Sequence, residues 1–354
     1  MAVGKINSYA VILAGGSGER LWPMSTTKQP KQFLDIFGGK PLICHAVERI
    51  SGLFPKEKII VLTSDCFVSK TRKILPMLPK GNIIGEPCRR NTAAAVALAL
   101  GLVKRVGGVN AVCCILTADH LIEKLSVFRT TISDAIAVAE KTAYVVTIGI
   151  TPTYPATGFG YIESGDSLDI KSKTVFSRVK RFVEKPNEKV ARKYLSKGSF
   201  RWNSGMFISK VAVLEKEFAQ SAPDIGVVIS GVSEATNVRS AIKRIYANLR
   251  SISFDYAVME KAKNIIMARG DFIWDDVGTW LAIPKHFPRR PHGNTVLGNV
   301  SLVDTSESIV ISDKKHPVVV MGLSDVVVVH TQEATLVCSK SSLREIKKAA
   351  SIIV

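Results

Sequence analysis

Residues 9–23 have the sequence YAVILAGGSGERLWP, which contains the strongest local signal in the chain. Its apolar part, at 10–14, is short and typical of a buried strand. Three glycines follow where that strand ends, and glycines there let backbone N–H groups approach a phosphate closely. Arg20 adds charge-assisted hydrogen-bond donors. A tight turn needs neither three glycines nor an arginine, so the stretch predicts a phosphate-binding loop.

Two better-known phosphate-binding loops do not fit this stretch. A dinucleotide fingerprint would need a third glycine where Leu21 stands and an uninterrupted helix where Pro23 and Pro30 occur. A Walker loop is excluded because the chain has no G-x-x-x-x-G-K-[ST] motif. Lys31, in the sequence PKQFL, follows within one loop length and could reach the same phosphates as a point charge.

Strand-like and helix-like segments alternate through the first two thirds of the chain. We predict strands at 10–14, 58–63, 111–117 and 144–150, and helices at 92–105, 127–141, 188–196, 211–219 and 239–249. Residues 151–185 are punctuated by glycines and predict hairpins that extend the sheet. This alternation is typical of an α/β fold with a Rossmann-like, mostly parallel sheet flanked by helices.

A second, smaller domain is indicated beyond a break at 284–294, which holds three prolines and two adjacent arginines. The next segment, 295–337, is rich in valine and has no long helical pattern. Its clearest predicted elements are strands at 318–321 and 326–330. A short basic helix at 341–350 follows the segment. We therefore expect a larger α/β domain at 1–287 and a small, β-helix-like C-terminal domain at 288–354.

Two aspartates are candidate metal ligands. Asp119 lies two residues beyond the end of the predicted strand at 111–117, and ligands of open α/β sheets bind at the carboxyl ends of strands. Asp276 lies far downstream in WDDVGTW. Mg²⁺ takes one or two carboxylates and completes its shell with phosphate oxygens and water. The residues alone leave metal binding and helix N-capping open for each aspartate, and His120 is expected to be a hydrogen-bonded structural residue.

Two polar segments lie among aromatic residues. Glu184 and Lys185 close a predicted strand, and Asn203 lies in the sequence WNSGMF. Carboxylate and amide groups beside aromatic rings suit sugar hydroxyls, which need paired donors and acceptors. On the residues alone, we assign both segments to loops, and we assign Asp255 and Glu260 to helix capping.

Composition excludes a disordered chain, because 46% of the 354 residues are hydrophobic and 22% are charged. It also argues against a membrane protein, since the longest apolar run, at 93–103, is about half of what a spanning helix needs. The start of the chain lacks the apolar core of an export signal. We therefore expect a cytoplasmic protein without membrane contact.

The formal net charge of +18 favours anionic partners. The basic residues are spread along the chain, and their tightest groups contain no interleaved aromatic residues. We therefore predict no nucleic-acid partner, and the alternative would be marked by a steep loss of binding with salt. The six cysteines have no C-x-x-C spacing and are expected to be reduced core thiols.

Taken in order, several segments resemble the mannose-1-phosphate guanylyltransferases of the sugar-nucleotidyltransferase superfamily. They are LAGGSGERLWP, PKQFL, EPCRRNTAAA, TADH, TGFGYIE, FVEKP, WNSGMF, FDYAVMEK and WDDVGTW, which lie between Tyr9 and Val337. The glycine and arginine loop alone indicates only the superfamily. Trp22-Pro23, PKQFL and WNSGMF point to the mannose and guanosine branch, although Glu19 stands where that branch usually has threonine.

The resemblance implies a role for each matching residue. Catalysis would fall to Arg20 and Lys31, and Mg²⁺ would be bound by Asp119 and Asp276. The nucleotide would be bound by Leu13, Ala14, Gly15, Gly16, Ser17, Gly18, Glu86, Pro87, Arg90 and Asn91. The sugar phosphate would be bound by Gly160, Glu184, Lys185 and Asn203.

The resemblance also implies a reaction. The phosphate of mannose 1-phosphate would attack the α-phosphorus of GTP in line, giving GDP-mannose and pyrophosphate. The residue inventory fits this step, because a phosphate monoester is largely dianionic at neutral pH and needs no general base. We expect a homodimer, and a transferase without the isomerase domain that larger family members carry.

Two alternatives to this function stay open. One is the same chemistry with another nucleoside triphosphate and sugar 1-phosphate. The other is a catalytically silent regulatory protein that binds GDP-mannose, which would be expected to lose one of Arg20, Lys31, Asp119 or Asp276. This chain has all four.

Overall fold

The computed structural model describes residues 7–16, 18–313 and 315–353. They form two compact units whose segments alternate along the chain. The first unit contains the described residues up to Gly15, Ala46–Ala118 and Ile122–Trp274, and the second contains Gly16–His45, Asp119–Leu121 and the described residues from Asp275 onward. The division that we predicted between residues 287 and 288 stays a prediction.

The first unit is built on one large sheet. The strands up to residue 275 are β1 (Ser8–Ala14), β2 (Ile59–Ser64), β3 (Ile83–Glu86), β4 (Val112–Thr117), β5 (Leu121–Ile122), β6 (Val145–Ile150), β7 (Tyr161–Leu168), β8 (Phe176–Val183), β9 (Phe200–Lys210), β10 (Ile265–Gly270) and β11 (Trp274–Asp275). All except β5 and β11 belong to this nine-stranded sheet, whose order is β3-β2-β1-β4-β9-β6-β10-β8-β7.

The core of the sheet is parallel. Strand β1 lies between β2 and β4, with Ala10 opposite both Ile59 and Cys114. Because these strands are buried on both faces, each is an almost continuous apolar run. The four predicted strands are confirmed within two residues at their ends, and with them the α/β fold class. The carboxyl ends of β1, β2, β3 and β4 share one edge of the sheet.

Two strands run against the others and make the sheet mixed. Strand β9 is antiparallel to β4 and β6, and β8 is antiparallel to β7 and β10. The β7–β8 pair confirms the predicted hairpin, and Glu184 and Lys185 directly follow β8. Our assignment of WNSGMF to a loop was wrong, because Trp202–Phe207 lies within β9. The polar residues there hide the alternation by which a strand is recognised.

Helices connect the strands. They are α1 (Leu42–Glu48), α2 (Val68–Ile74), α3 (Asn91–Gly107), α4 (Leu125–Lys141), α5 (Glu188–Lys197), α6 (Val211–Ser221), α7 (Pro223–Ser233), α8 (Val238–Tyr246) and α9 (Ile346–Ile353). The five helices predicted before residue 250 are confirmed as α3, α4, α5, α6 and α8. Helix α7 was missed because its glycines and β-branched residues are poor helix formers. It packs close to α3 at Gly101, where a Cβ would lie 3.0 Å from the carbonyl oxygen of Ile229.

The valine-rich segment of the second unit forms short parallel strands stacked as in a β-helix. They are β12 (Thr295–Leu297), β13 (Val300–Val303), β14 (Ile309–Ile311), β15 (Val318–Met321), β16 (Val326–His330) and β17 (Thr335–Ser339). Thr295, Ile309 and Val327 occupy equivalent positions on three successive parallel strands, and only β17 is antiparallel to its neighbour among the described strands here. The predicted strands β15 and β16 are confirmed, whereas the predicted terminal helix is a 3₁₀ turn, Lys340–Glu345, followed by α9.

One apolar cluster holds the second unit together. Its buried members come from the loop after β1, from residues after β11 and from the β-helix: Leu21, Trp22, Leu34, Phe37, Leu42, Val277, Trp280, Ile283, Ile309, Ile311, Val327, Val329, Leu336, Leu343 and Ile346. The indole N–H of Trp280 also donates to the backbone oxygen of Trp22 at 3.0 Å. The glycine loop is therefore supported by residues far away in the sequence.

Two expectations from composition can be compared with the structure. Among the described residues, no helix combines the length and apolar character that crossing a bilayer requires. No disulfide links the six cysteines in the structure, and Cys113 and Cys114 are buried in β4. Cys66 differs from the expectation, because it is exposed and does not lie in the core.

Asn294 provides a test of the β-helix. Its side-chain amide is buried, donates to the oxygens of Pro291 (3.1 Å) and Thr305 (2.7 Å), and accepts from the N–H of Ser308 (2.9 Å). Asn294→Ala leaves these buried groups unpaired, so we expect the free energy of unfolding to fall by about 2 kcal/mol in urea denaturation. The exposed Asn299→Ala should change it by less than about 0.5 kcal/mol. Equal stabilities for the two variants would contradict this account.

Candidate active site

The glycine loop packs directly on Lys31. Gly18 has a φ of 64°, and a Cβ at this position would overlap the Cβ of Lys31. Lys31 begins a 3₁₀ turn, Lys31–Phe33, and is only 5% exposed. An isolated loop lysine would be expected in solvent. Its burial indicates that partners compensate its charge, and those partners are the two candidate aspartates.

Lys31 joins Asp119 to Asp276. Its ammonium Nζ lies 3.0 Å from Oδ2 of Asp119 and also donates to the backbone oxygen of Asp276. The side-chain carboxylate of Asp276 accepts from the N–H of Gly278 at 3.0 Å. Neither aspartate is the N-cap of a helix, so the capping alternative was wrong for both. The structure thus brings together three charged residues that are distant in sequence.

The charges in this group act on one another. Burial alone would raise the pKa of Asp119, but the charge and hydrogen bond of Lys31 outweigh burial and hold that pKa below its usual value. Burial raises the pKa of Asp276, and the negative charges of Asp275 and Asp119 add to the rise. Two ionised carboxylates beside one ammonium give the group a net negative charge. A further cation would neutralise that charge.

Asp275 belongs to a separate structural interaction. It accepts from the N–H of Val277 at 2.7 Å and lies 3.3 Å from Nε2 of His286. Burial would raise the pKa of Asp275, but the hydrogen bond with His286 and the charge of Lys285 hold it below the usual value. Only one of the two adjacent aspartates therefore directs its charge towards Lys31.

The remaining predicted loop residues differ in their surroundings. Leu13 and Ala14 end β1, and Arg20 is exposed on the 3₁₀ turn Glu19–Leu21. That turn replaces the helix of a dinucleotide fingerprint. A Cβ on Gly16 would meet no described atom within 4 Å, so the backbone there is accessible. Ser17 lies outside the described residues.

Glu86 is the buried centre of the predicted base-binding residues in the first unit. It ends β3, and its Oε1 lies 3.1 Å from the hydroxyl of Tyr246. Burial raises the pKa of Glu86 to about 7, although the bond from Tyr246 acts in the opposite direction. Its other oxygen, Oε2, would be 3.1 Å from a Cβ on Gly15. A side chain at Gly15, the residue after β1, would therefore be in tight contact with Glu86.

Arg90 and Asn91 shape the chain after Glu86. Arg90 donates to the backbone oxygens of Tyr246 (3.1 Å) and Ala247 (2.7 Å). Asn91 begins α3 with a φ of 63°, and its side-chain oxygen accepts from the N–H of Thr92. The guanidinium of Arg90 is thus engaged in holding the segment after α8, and Pro87 lies in the turn between these elements.

The predicted sugar residues come together around Gly160. A Cβ there would lie 2.6 Å from Oε2 of Glu184 and 3.4 Å from the Cβ of Asn203. The backbone oxygen of Gly160 accepts from the N–H of Asn203 at 2.8 Å. Lys185 forms an ion pair with Glu184, and the backbone N–H of Glu184 donates to Glu260 at 3.2 Å.

Asp255 completes this group and was missed as a site residue. Its Oδ1 accepts from the amide of Asn203 at 2.9 Å. Burial raises the pKa of Asp255 to about 7, and the nearby charge of Glu184 adds to the rise. Asp255 does not cap an α-helix as we expected; it begins a single π-helical turn, Asp255–Met259. Such turns are frequent at functional sites.

The base and sugar groups are linked within the first unit. The N–H of Phe254, the residue before Asp255, donates to the hydroxyl of Thr92 at 2.8 Å. Thr92 is in turn adjacent to Asn91 at the start of α3. Tyr246 was also missed, because an amphipathic helix such as α8 gives no sign that one of its tyrosines faces a carboxylate.

Comparisons with known proteins identify the family of the chain. A family model described as nucleotidyl transferase matches residues 9–289, and one described as MannoseP isomerase/GMP-like beta-helix domain matches residues 298–351. The mannose-1-phosphate guanylyltransferase of Klebsiella pneumoniae is 36% identical over 352 residues, which cover 97% of this chain and 73% of the relative. The chain belongs to the mannose-1-phosphate guanylyltransferase family.

Further relatives support the same family. Mannose-1-phosphate guanylyltransferase 2 of Escherichia coli O157:H7 is 36% identical over 354 residues, covering 97% of this chain and 73% of that protein. A crystal structure titled mannose-1-phosphate geranyltransferase, from Thermus thermophilus, superimposes with a TM-score of 0.87 at 32% identity. The match covers 98% of this chain and 99% of that structure. The family resemblance, the nucleotidyltransferase class and the small β-helix-like domain predicted from the sequence are therefore confirmed.

Glu86 predicts a pH dependence of stability in this family member. Its pKa is about 7 in the folded protein and 4.5 ordinarily, so the folded state keeps a proton that the unfolded state loses. Stability contributed by this group is therefore lost as pH rises from 4.5 through 7. Glu86→Gln should remove this loss, which is of the order of 3 kcal/mol, and unfolding free energies at pH 5 and 8 measure it.

The exposed Glu57→Gln is the matched control for this measurement, since it also removes one carboxylate. It should keep the pH dependence of the wild type. A Glu86→Gln protein that loses stability between pH 5 and 8 as the wild type does would show that Glu86 is ionised throughout.

Gly160 provides a second pair of variants. Gly160→Ala places a methyl group against Glu184 and Asn203, so we expect the free energy of unfolding to fall by about 1–3 kcal/mol. In Gly158→Ala the added Cβ meets no described atom within 4 Å, so its stability should match the wild type within about 0.5 kcal/mol. Thermal and urea unfolding measure both, and two equally stable variants would contradict the close packing at Gly160.

Proposed function

We propose that the protein forms GDP-mannose and pyrophosphate from GTP and α-D-mannose 1-phosphate. The observation that carries this proposal is the buried ammonium of Lys31, held against Asp119 and Asp276 behind the glycine loop. Family membership supports the choice of substrates. Within the proposal, Lys31, Asp119 and Asp276 act on the triphosphate, and other groups of residues bind guanosine and mannose.

The chemical step is a displacement at phosphorus. An oxygen of the sugar phosphate forms a bond to the α-phosphorus of GTP, while the bond from that phosphorus to the leaving pyrophosphate breaks. The sugar phosphate is largely dianionic at neutral pH, because its second pKa is about 6. No side chain has to remove a proton, so catalysis depends on orientation and on neutralising negative charge.

Lys31 and Arg20 neutralise charge in this proposal. Lys31 is a buried point charge with a fixed position, because Gly18 packs on its Cβ and two aspartates hold its ammonium. Arg20 is exposed at the end of the loop, where its guanidinium can pair with phosphate oxygens in two places at once. The accessible backbone of Gly16 provides an N–H group for the same phosphates.

Asp119 and Asp276 fit Mg²⁺. Both offer carboxylate oxygens, the ligands that this ion prefers, and the pKa of Asp276 is raised by burial, with a further rise from the charges of Asp275 and Asp119. They would hold the ion, with substrate phosphates and water as its remaining ligands. When bound, Mg²⁺ would neutralise charge on the phosphates. Lys31 already contacts Asp119, so it would also keep that carboxylate oriented.

The base and the sugar have distinct residues in this proposal. Glu86, Pro87, Arg90 and Asn91 lie against guanosine, and the raised pKa of Glu86 lets it donate or accept a hydrogen bond near neutral pH. Glu184 and Asn203 hold hydroxyl groups of mannose, and Asp255 orients the amide of Asn203. Lys185 pairs with the sugar phosphate in exchange for Glu184.

A homodimer in the cytoplasm is part of the same proposal and follows from the family resemblance. One observation supports contact between subunits. Val303 and Met321 lie opposite each other on the parallel strands β13 and β15, and Val319 is on β15 as well. Their exposures of 45%, 69% and 66% make an apolar strip that a second subunit could cover.

The decisive experiment measures pyrophosphate release with Mg²⁺, pairing each of four nucleoside triphosphates with mannose 1-phosphate and with glucose 1-phosphate. We expect release with GTP and mannose 1-phosphate. Lys31→Met and Asp119→Ala should each lower kcat/KM at least about 100-fold, because each removes charge that acts on the phosphates. The exposed Asp271→Asn is the matched control and should stay within about twofold of the wild type.

Each other outcome has a defined meaning. Release with a different pair would keep the chemistry and overturn the proposed substrates. No release with any pair, together with binding of GDP-mannose, would identify a silent binding protein, and Glu19 would then be changed to threonine. Full activity of Asp119→Ala would overturn the proposed metal ligand.

A further inference from the structure

Three potential metal-binding side chains meet in the β-helix, and none of them has a role in the proposed reaction. Asp313, His316 and His330 each present a ligand atom, and these atoms all lie within 4.8 Å of one another. Asp313 and His316 belong to the loop between β14 and β15, and His330 ends β16. The parallel register explains the meeting, because Ile311 at the end of β14 pairs with Val329, the residue before His330.

The loop orients His316 through Asp313. Nδ1 of His316 lies 2.9 Å from Oδ2 and 3.0 Å from Oδ1 of Asp313. Oδ1 also accepts from the backbone N–H groups of Lys315 (2.9 Å) and His316 (2.7 Å). The carboxylate therefore fixes the turn with one oxygen and keeps the other, Oδ2, directed at the imidazole. His316 is 55% exposed, so its ring can adjust without repacking the domain.

The imidazole of His330 has one nitrogen whose surroundings indicate that the site binds a ligand. Its Nδ1 lies 2.8 Å from the hydroxyl of Thr335, the residue paired with it on β17. Its Nε2 is buried and makes no hydrogen bond within the described part of the chain. A buried ring nitrogen without a partner costs free energy. The ring of His316 packs against it with centroids 5.2 Å apart, so this nitrogen lies beside the other two ligands.

We propose that Asp313, His316 and His330 bind one zinc-class divalent metal ion. Two imidazoles and one carboxylate form a donor set that Zn²⁺ takes readily, with water in the fourth position. Mg²⁺ and Ca²⁺ prefer sets made only of oxygen. The bond between Thr335 and Nδ1 of His330 is the outer contact that commonly fixes a ligating histidine.

The metal would act on the β-helix and not on phosphates. Ligands of a tetrahedral zinc ion lie roughly 3.4 Å apart, given metal–ligand bonds of about 2.0–2.1 Å. Binding therefore draws the exposed side chain of His316 inward and ties the loop after β14 to the end of β16. The site shares no residue with Lys31, Asp119 or Asp276, so it does not depend on the proposed reaction.

The test uses the full chain, freed of metal with a chelator and titrated with Zn²⁺ by calorimetry in millimolar Mg²⁺. The Mg²⁺ keeps oxygen-only sites occupied. We expect one zinc ion per chain and a higher melting temperature when zinc is present. His316→Ala and His330→Ala should each weaken binding at least tenfold. Thr335→Val, which removes only the partner of Nδ1, should weaken it about tenfold.

His292→Asn is the matched control, because His292 is an exposed histidine of the same unit and asparagine tolerates its φ of 58°. It should bind zinc as the wild type does. Titration with Co²⁺ identifies the ligands, since nitrogen and oxygen ligands give d–d absorption without the thiolate charge-transfer bands expected at Cys66. Circular dichroism checks folding, and the exposed His316→Ala decides the question if His330→Ala does not fold.

Two results would overturn the proposal. One is a wild-type chain that takes up neither Zn²⁺ nor Co²⁺ at tens of micromolar. The other is binding that His316→Ala leaves unchanged, since the metal would then lie elsewhere. Loss of pyrophosphate release has no bearing on either result, so failure of the proposed function and failure of the zinc site are distinguishable.

Discussion

The buried ammonium of Lys31, which contacts Asp119 and Asp276, constrains the structure of the second unit around it. A buried charge is costly unless it is paired and hydrogen-bonded, and removing one partner leaves the others uncompensated. Lys31 is paired with the carboxylate of Asp119 and with the backbone oxygen of Asp276, which lie 88 and 245 residues away in the chain. It also needs Gly18, since any other residue there would displace its Cβ. The glycine loop is thus shaped by a charge interaction as much as by the phosphates it is proposed to hold.

The two units differ in how their buried ionisable side chains are compensated. In the second unit, charges of opposite sign compensate one another around Lys31. In the first unit, Glu86 and Asp255 are buried acids without a buried cation as their main partner, and burial raises the pKa of each to about 7. A tyrosine hydroxyl and an asparagine amide hold them instead. Neutral contacts of this kind suit a base and sugar hydroxyls, whereas paired charges suit phosphates.

Local sequence was sufficient where a segment's neighbours along the chain determine its structure. The buried parallel strands are continuous apolar runs, and the turn after β1 needs its glycines, so both could be predicted. Contacts between distant segments were not predictable. Tyr246 meets Glu86 across 160 residues, and Asp255 meets Asn203 across 52. Asn203 was placed in a loop because polar side chains on a strand that lines a site do not alternate with apolar ones as surface strands do.

The shared apolar cluster of the second unit has a consequence for how this protein can be recombined. Leu21 and Leu34 come from the start of the chain, and Ile309 and Val327 come from the β-helix, yet all four belong to one core. A chimaera that exchanges only the C-terminal part would join two halves of different cores, with mismatched side chains under the glycine loop. Core residues of the β-helix and of the loop after β1 are therefore expected to covary in evolution, although they are far apart in the sequence.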